Sequence, residues 1–105
     1  MAVSKISQDR LRIEDIVKIS NNSNTVMNNV DLNSITTAGI YIVTNITDNN
    51  PSSANRGKLF VIETDPNGNS GYLTQIFLPP YGKMYSRYRT YSSPNWSWSG
   101  WATVN

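Results

Sequence analysis

After residue 31, the chain contains segments in which residues either alternate between apolar and polar or are almost continuously apolar, as in β-strands that bury one or both faces. The segments with this pattern are residues 40–47, 58–64, 71–78 and 83–91. Residues 58–64 are almost continuously apolar, so we expect this strand at the centre of the sheet. A fifth, tryptophan-rich strand follows Pro94 and ends at Val104.

Short turns separate the predicted strands. Residues 48–57, 65–68 and 79–82 contain the asparagine, glycine and proline that favour turns. Five strands with short connections predict an antiparallel meander. The composition agrees, because threonine, tyrosine, isoleucine and valine favour strands and the frequent asparagine supplies turns. We therefore expect an all-β fold, either a small antiparallel sheet or a partly open, barrel-like knob.

The N-terminal part of the chain has a different pattern. Ile13, Ile16 and Val17 share one face of a helix, with Asp9 as a suitable N-cap. Residues 11–19 also alternate as in a strand, so that alternative stays open. We favour a short helix or shaft segment. It is too brief to be stable alone and would dock on the domain or on copies of itself.

Residues 20–29 include five asparagines and are interpreted as a loop or linker. The predicted division is an N-terminal helical or shaft segment with its linker at residues 1–30, followed by a β-rich knob domain at residues 31–105. Only 38% of the chain is apolar, so a domain of this size should gain core by association. We expect a parallel homotrimer whose axis is lined by residues 11–19.

The residues that usually carry catalysis or metal binding are scarce. The chain has no histidine and no cysteine, and therefore lacks the common general base, the thiol nucleophile and the best transition-metal ligands. We expect no enzyme activity, no cofactor and no metal. A net charge of +2 without a basic stripe argues against nucleic-acid binding. No apolar run approaches the ~18 residues of a membrane span.

The C-terminal tryptophans favour a recognition surface instead. In a strand, Trp96 and Trp98 share one face, and a bulge at Gly100 would bring Trp101 to the same side. We expect at least two of the three tryptophans to pack in the core. Trp96 directly follows a turn at residues 93–95, so we expect it to be partly exposed as a binding platform.

Tyrosines and arginines of the same region extend this candidate surface. Arg87 and Arg89 share one strand face, where they either face solvent, pair with aromatic neighbours or contact a ligand. Loops rich in tyrosine and asparagine are typical of recognition surfaces. The candidate ligand-binding residues are Trp96, Tyr91, Tyr88, Arg87, Arg89 and Tyr81.

Several short motifs follow one another between residues 31 and 104. They are Asp31-Leu32-Asn33, Gly39-Ile40-Tyr41, Gly57-Lys58-Leu59-Phe60-Val61, Gln75 with Phe77, Tyr85-Ser86-Arg87 or the overlapping Tyr88-Arg89, and Trp98-Ser99-Gly100-Trp101. In this order they resemble the pyocin-knob domain of phage tail fibres and R-type pyocin fibres. The closing motif is the most specific, whereas Trp96 is additional to the family pattern and residues 1–30 lie outside it.

This resemblance implies a small β-rich knob on a trimeric virion fibre, similar to receptor-binding tips that meet bacterial surface glycans. We therefore expect a non-enzymatic tail-fibre module of the virion that attaches it to a bacterial surface polysaccharide. The module would act as a homotrimer alongside other virion proteins. One alternative is a structural virion fibre domain (head fibre, collar or trimerisation module) with no receptor role. Another is a carbohydrate-binding module appended to a secreted hydrolase.

Overall fold

A computed structural model describes residues 25–65, 67 and 71–104 of the chain. They form a curled, open half-barrel sheet, which confirms the expected all-β fold. The helix and trimer axis predicted around residues 11–19 lie outside the described residues. A 3₁₀ turn (Leu32–Ser34) follows the first strand. The strands are β1 (Thr25–Asn28), β2 (Gly39–Thr44), β3 (Gly57–Glu63), β4 (Leu73–Leu78), β5 (Met84–Ser92), β6 (Asn95–Trp98) and β7 (Ala102–Val104).

Neighbouring strands pair in antiparallel fashion from β2 through β6, as the predicted meander requires. The strand β3 lies between β2 and β4 in the interior of the sheet, as its apolar sequence predicts. The predicted tryptophan strand is divided into β6 and β7. Both pair with β5, β6 over residues 89–92 and β7 over residues 84–86.

The strand β1 differs from the sequence-based expectation. The loop predicted over residues 20–29 is wrong for Thr25–Asn28, which pairs with β2 in parallel. Asparagine disfavours strands, but the Asn28 side-chain oxygen accepts hydrogen bonds of 2.8 Å from both Thr44 Oγ1 and Asn45 Nδ2. These tertiary contacts outweigh the local preference. As a result, the sheet begins on the N-terminal side of the division predicted between residues 30 and 31.

One face of the sheet, here called the inner face, carries the main core. The connection between β1 and β2 packs against it, so the core contains residues from this connection as well as from the strands. Its buried members are Val30, Leu32, Ile35, Tyr41, Val43, Leu59, Val61, Leu73 and Phe77. Leu32 and Phe77 are fully buried. Burying each such side chain contributes about 1.5–3 kcal/mol, which makes the connection an integral part of the fold.

The opposite face, here called the outer face, is also apolar. Its main cluster consists of Phe60, Ile76, Ile40, Ile62 and Leu78. Val26 lies beside Ile42 on the same face and is 65% exposed. Within the described residues, the two long connections, 29–38 and 45–56, supply side chains to the inner core instead. The sheet therefore presents apolar side chains on both faces.

Candidate functional site

Two arginines and three tryptophans alternate in space on the inner face, beside β5 and β6. The guanidinium carbon of Arg87 lies 4.0 Å from the ring centroid of Trp98 and 4.4 Å from that of Trp101. The guanidinium carbon of Arg89 lies 4.8 Å from the ring of Trp96 and 5.6 Å from that of Trp98. The order in space is Trp101, Arg87, Trp98, Arg89, Trp96. We call this set the arginine–tryptophan ladder. Each cation–π contact contributes about 0.5–2 kcal/mol, depending on its exposure.

Strand register produces most of this alternation. Arg89 pairs across the β5–β6 hairpin with Trp98, and Tyr91 pairs with Trp96. Side chains two residues apart on a strand point to the same face, so the arginines of β5 and the tryptophans of β6 meet on the inner face. The sequence predicts the two residue sets separately. It does not give the register that brings them together.

Ser99 brings the third tryptophan into the ladder. The Ser99 backbone N–H donates to Tyr88 O over 2.8 Å, and Ser99 Oγ accepts from the Tyr88 N–H over 3.0 Å. Ser99 thus continues the pairing with β5 by one residue before the chain departs at Gly100. Trp101 then stacks on the same guanidinium as Trp98, and its Nε1–H donates to Asn49 O over 3.0 Å. The same-side placement conditionally predicted for Trp101 is therefore observed.

The end of the ladder at Arg87 is tied to the core. Arg87 is only 5% exposed, and its Nε donates to Gln75 Oε1 over 2.9 Å. The buried Gln75 uses Nε2 to donate to Leu32 O over 2.8 Å and to Ile35 O over 3.0 Å. One side chain thus links β4, β5 and the β1–β2 connection. Sequence reasoning assigned Gln75 no role beyond its motif position.

Burial also affects the charge of Arg87. It lowers the pKa of Arg87 to about 10, while the nearby Asp31 carboxylate acts in the opposite direction. The guanidinium remains charged at neutral pH. Its Nη2 is buried without a hydrogen-bond partner among the described residues. Trp98 and Trp101 are half-buried and pack against the inner core, so this end of the ladder stabilises the fold.

The opposite end of the ladder is open to solvent. Trp96 is 41% exposed and Tyr91 is 42% exposed. The Trp96 ring lies 5.0 Å from that of Tyr91 and 5.2 Å from that of Tyr72, the latter nearly perpendicular at 77°. Arg89 Nε donates to Gly71 O over 3.0 Å. We call Trp96, Tyr91, Tyr72 and Arg89 the aromatic end of the ladder.

Gly71 makes the close packing of this end possible. Its φ of +100° lies in the region that favours glycine, and a Cβ at this position would lie 2.6 Å from two carbons of the Trp96 indole. The indole therefore rests directly on the Gly71 backbone, whose carbonyl also holds Arg89. Gly71 and Tyr72 were absent from the sequence-based candidates, since only the pairing of β4 with β5 places them here.

The structure brings four of the six candidate ligand-binding residues together, namely Trp96, Tyr91, Arg87 and Arg89. Tyr88 alternates with the arginines along β5, points to the outer face and is 56% exposed. Tyr81 is 65% exposed in the turn before β5, whereas the ladder uses Arg87 and Arg89 further along that strand. These two tyrosines are separate from the ladder.

The aromatic end is an open surface, and one groove of the molecule lies away from it. This groove, of about 390 Å³, lies at the N-terminal end of β3 and is lined by Ile42, Lys58, Leu78, Pro80 and their neighbours. Exposed aromatic faces on rigid strands suit stacking against rings with an apolar C–H face, such as sugars. Guanidinium N–H groups add directed hydrogen bonds. Among the described residues, no cluster of acidic side chains is suited to holding a metal ion, and no helix is long and apolar enough to cross a membrane.

No protein-family model, curated protein or solved structure matches this chain. The resemblance to the pyocin-knob domain therefore stays a prediction from the order of the motifs.

Proposed function

We propose that this chain is the knob module of a phage tail fibre, which attaches the virion to a bacterial surface polysaccharide without enzymatic activity. The observation that carries the proposal is the aromatic end of the ladder. It presents two half-exposed rings, Trp96 and Tyr91, beside a guanidinium on paired strands. The motif order in residues 31–104 supports the fibre assignment.

The rigidity of the aromatic end favours binding. Trp96 is held by Tyr72, Tyr91, Arg89 and the Gly71 backbone, so its orientation is fixed before a ligand arrives. A preorganised side chain loses little conformational entropy on binding. Tryptophan and tyrosine are also the residues that most often carry binding energy at protein surfaces. A weak stacking contact is multiplied when several copies on one fibre engage a repeating polymer, which agrees with the homotrimer that we propose.

Glycan binding by paired aromatic variants tests this proposal. Polysaccharides purified from candidate host cell walls are titrated with the intact protein, Trp96→Ala and Tyr81→Ala. Tyr81 is more exposed than Trp96 but separate from the ladder. We expect Trp96→Ala to weaken binding at least tenfold and Tyr81→Ala to leave it unchanged. The proposal is wrong if the intact protein binds no host-derived glycan, or if both variants bind as it does.

The outer face favours the second candidate, a structural fibre domain without a receptor role. Its apolar cluster and the exposed Val26 form a surface that a second copy of the chain would cover. Deleting residues 31–105 from a fibre that carries them separates the candidates. Lost adsorption with intact trimers supports the receptor role, whereas lost trimers support assembly. Light scattering of the 105-residue chain tests the homotrimer directly, and a monomer at tens of micromolar contradicts it.

A further inference from the structure

We infer that the saccharide bound at the aromatic end is acidic, with a carboxylate or phosphate that contacts Arg89. This inference rests on the proposed glycan binding and adds the chemical class of the ligand. Three observations lead to it. They are the neutral hydrogen-bond partners of both ladder arginines, the placement of both guanidinium groups against the Trp98 ring, and the position of Arg89 beside the exposed rings.

The two ladder arginines donate to neutral oxygens. Arg87 Nε binds the Gln75 amide oxygen, and Arg89 Nε binds the Gly71 carbonyl. The carboxylate that acts on Arg87 is that of Asp31, but its Oδ1 accepts hydrogen bonds from Asn33 N and Asn49 Nδ2 instead. Within the described residues, no hydrogen bond joins either ladder arginine to a carboxylate.

Both charges lie against the same indole ring and are partly removed from water. Both guanidinium groups contact the ring of Trp98, at 4.0 and 5.6 Å from its centroid. Arg87 is 5% exposed and has a buried Nη2 without a partner, and Arg89 is half-buried. Like charges in a partly desolvated setting repel each other more strongly than they would in bulk water. An anion at the open side of Arg89 would relieve this repulsion.

The position of Arg89 connects charge recognition with stacking. Its guanidinium carbon is 4.8 Å from the centre of the Trp96 ring, and its Nε is already used by Gly71. A guanidinium has five N–H donors, so the Nη groups remain to bind a carboxylate or phosphate in a forked arrangement. A sugar ring packed against the exposed aromatics would place a charged substituent within reach. A charge-assisted hydrogen bond of this kind improves affinity roughly tenfold to a hundredfold over its neutral counterpart.

Paired ligands that differ in charge test the inference. The intact protein is titrated with oligogalacturonate and oligoglucuronate, with the matching neutral galactose and glucose oligomers, and with poly(glycerol phosphate) as a phosphate source without a sugar ring. We expect the uronates to bind at least tenfold more tightly than their neutral counterparts. Affinity should also fall as salt is raised. Binding of poly(glycerol phosphate) alone would show that phosphate is recognised without a sugar ring, and would overturn the inference of an acidic saccharide.

Variants then separate local recognition from general attraction. We expect Arg89→Gln to weaken the binding of acidic oligomers at least tenfold and that of neutral oligomers less than about threefold. Arg89→Lys should retain part of the preference for acidic oligomers. Arg56→Gln is the matched control, because it removes the same charge from an exposed position directly before β3. Arg56→Gln should change the binding of neither acidic nor neutral oligomers. Melting curves confirm that each variant is folded.

The outcomes distinguish this inference from the proposed function. Equal binding of acidic and neutral oligomers, with both sensitive to Trp96→Ala, overturns the acidic class and keeps glycan binding. If Arg89→Gln weakens the binding of acidic and neutral oligomers equally, Arg89 acts by positioning Trp96, and this result also overturns the acidic class. Absence of binding to every oligomer and every host polysaccharide overturns both.

Discussion

Gln75 is the single side chain on which the connection between the core and the ladder depends most directly. We consider its replacement by methionine, which has a similar length but no hydrogen-bonding amide. The change removes two hydrogen bonds to the carbonyls of Leu32 and Ile35, each contributing about 1 kcal/mol. It also removes the acceptor for the Arg87 guanidinium, whose charged hydrogen bond contributes about 1.5–3 kcal/mol.

The combined loss is about 4 kcal/mol, partly offset by the greater hydrophobicity of the methionine side chain. We therefore expect Gln75→Met to lower the free energy of unfolding by about 3 kcal/mol, a large fraction of the roughly 5–15 kcal/mol typical of a domain. For a domain of this size, the melting temperature should fall by about 15 °C. Urea unfolding followed by far-ultraviolet circular dichroism measures the change, because this signal does not depend mainly on the ladder tryptophans.

A double-mutant cycle isolates the Gln75–Arg87 contact from the two carbonyl contacts. Arg87→Met and the double variant complete the cycle, and we expect a coupling energy of about 2 kcal/mol. Thr74→Val, on the adjacent outer-face position of β4, is the control and should change stability by less than about 1 kcal/mol. A loss below about 1 kcal/mol in Gln75→Met, or a coupling energy near zero, would refute this account of the buried network.

Three further predictions concern the ladder. Trp98→Ala should lower the free energy of unfolding by about 3 kcal/mol, whereas Trp96→Ala should leave the melting temperature within about 5 °C of the original. Equal decreases in the melting temperatures of the two variants would place Trp96 in the core. Gly71→Ala should destabilise the fold by about 1–3 kcal/mol and shift the tryptophan fluorescence, while Gly100→Ala, where a Cβ meets nothing within 4 Å, should do neither. The difference in melting temperature between the original chain and Arg87→Met should stay constant from about pH 6 to 9, because the Arg87 pKa of about 10 keeps the group protonated in both the folded and the unfolded chain. Above about pH 10 the folded chain holds fewer protons than the unfolded one, so the Arg87 contribution to stability rises with pH. A melting-temperature difference that changes with pH below pH 9 would contradict a pKa of about 10 for Arg87.

The meander could be predicted from the sequence because its signals are local. The apolar run in residues 58–64 and the alternation in residues 83–91 each require only a strand with one or two buried faces. The strand β1 could not be predicted, since its polar residues gain partners only when Asn28 meets Thr44 and Asn45. Its pairing is a property of the assembled sheet.

The candidate site divides in the same way. The placement of Trp96 and Trp98 on one face follows from strand periodicity, and the partial exposure of Trp96 was expected from its place beside a turn. The interleaving of arginines with tryptophans depends on the β5–β6 register, which no local pattern specifies. Tyr72 and Gly71 join the site from the start of β4, more than ten residues away in sequence, through packing against Trp96.

The layout of the ladder along the chain has a consequence for how such a module could diversify. All five ladder residues fall within residues 87–101, and those that contact the core lie toward the two ends of this segment. Between them, Tyr91, the turn at residues 93–94, Asn95 and Trp96 are exposed. Substitutions or length changes in this middle stretch would alter the surface offered to a ligand and leave the Gln75 network intact. In the attachment role that we propose, such a module could therefore vary its specificity within one short hairpin while keeping the same fold.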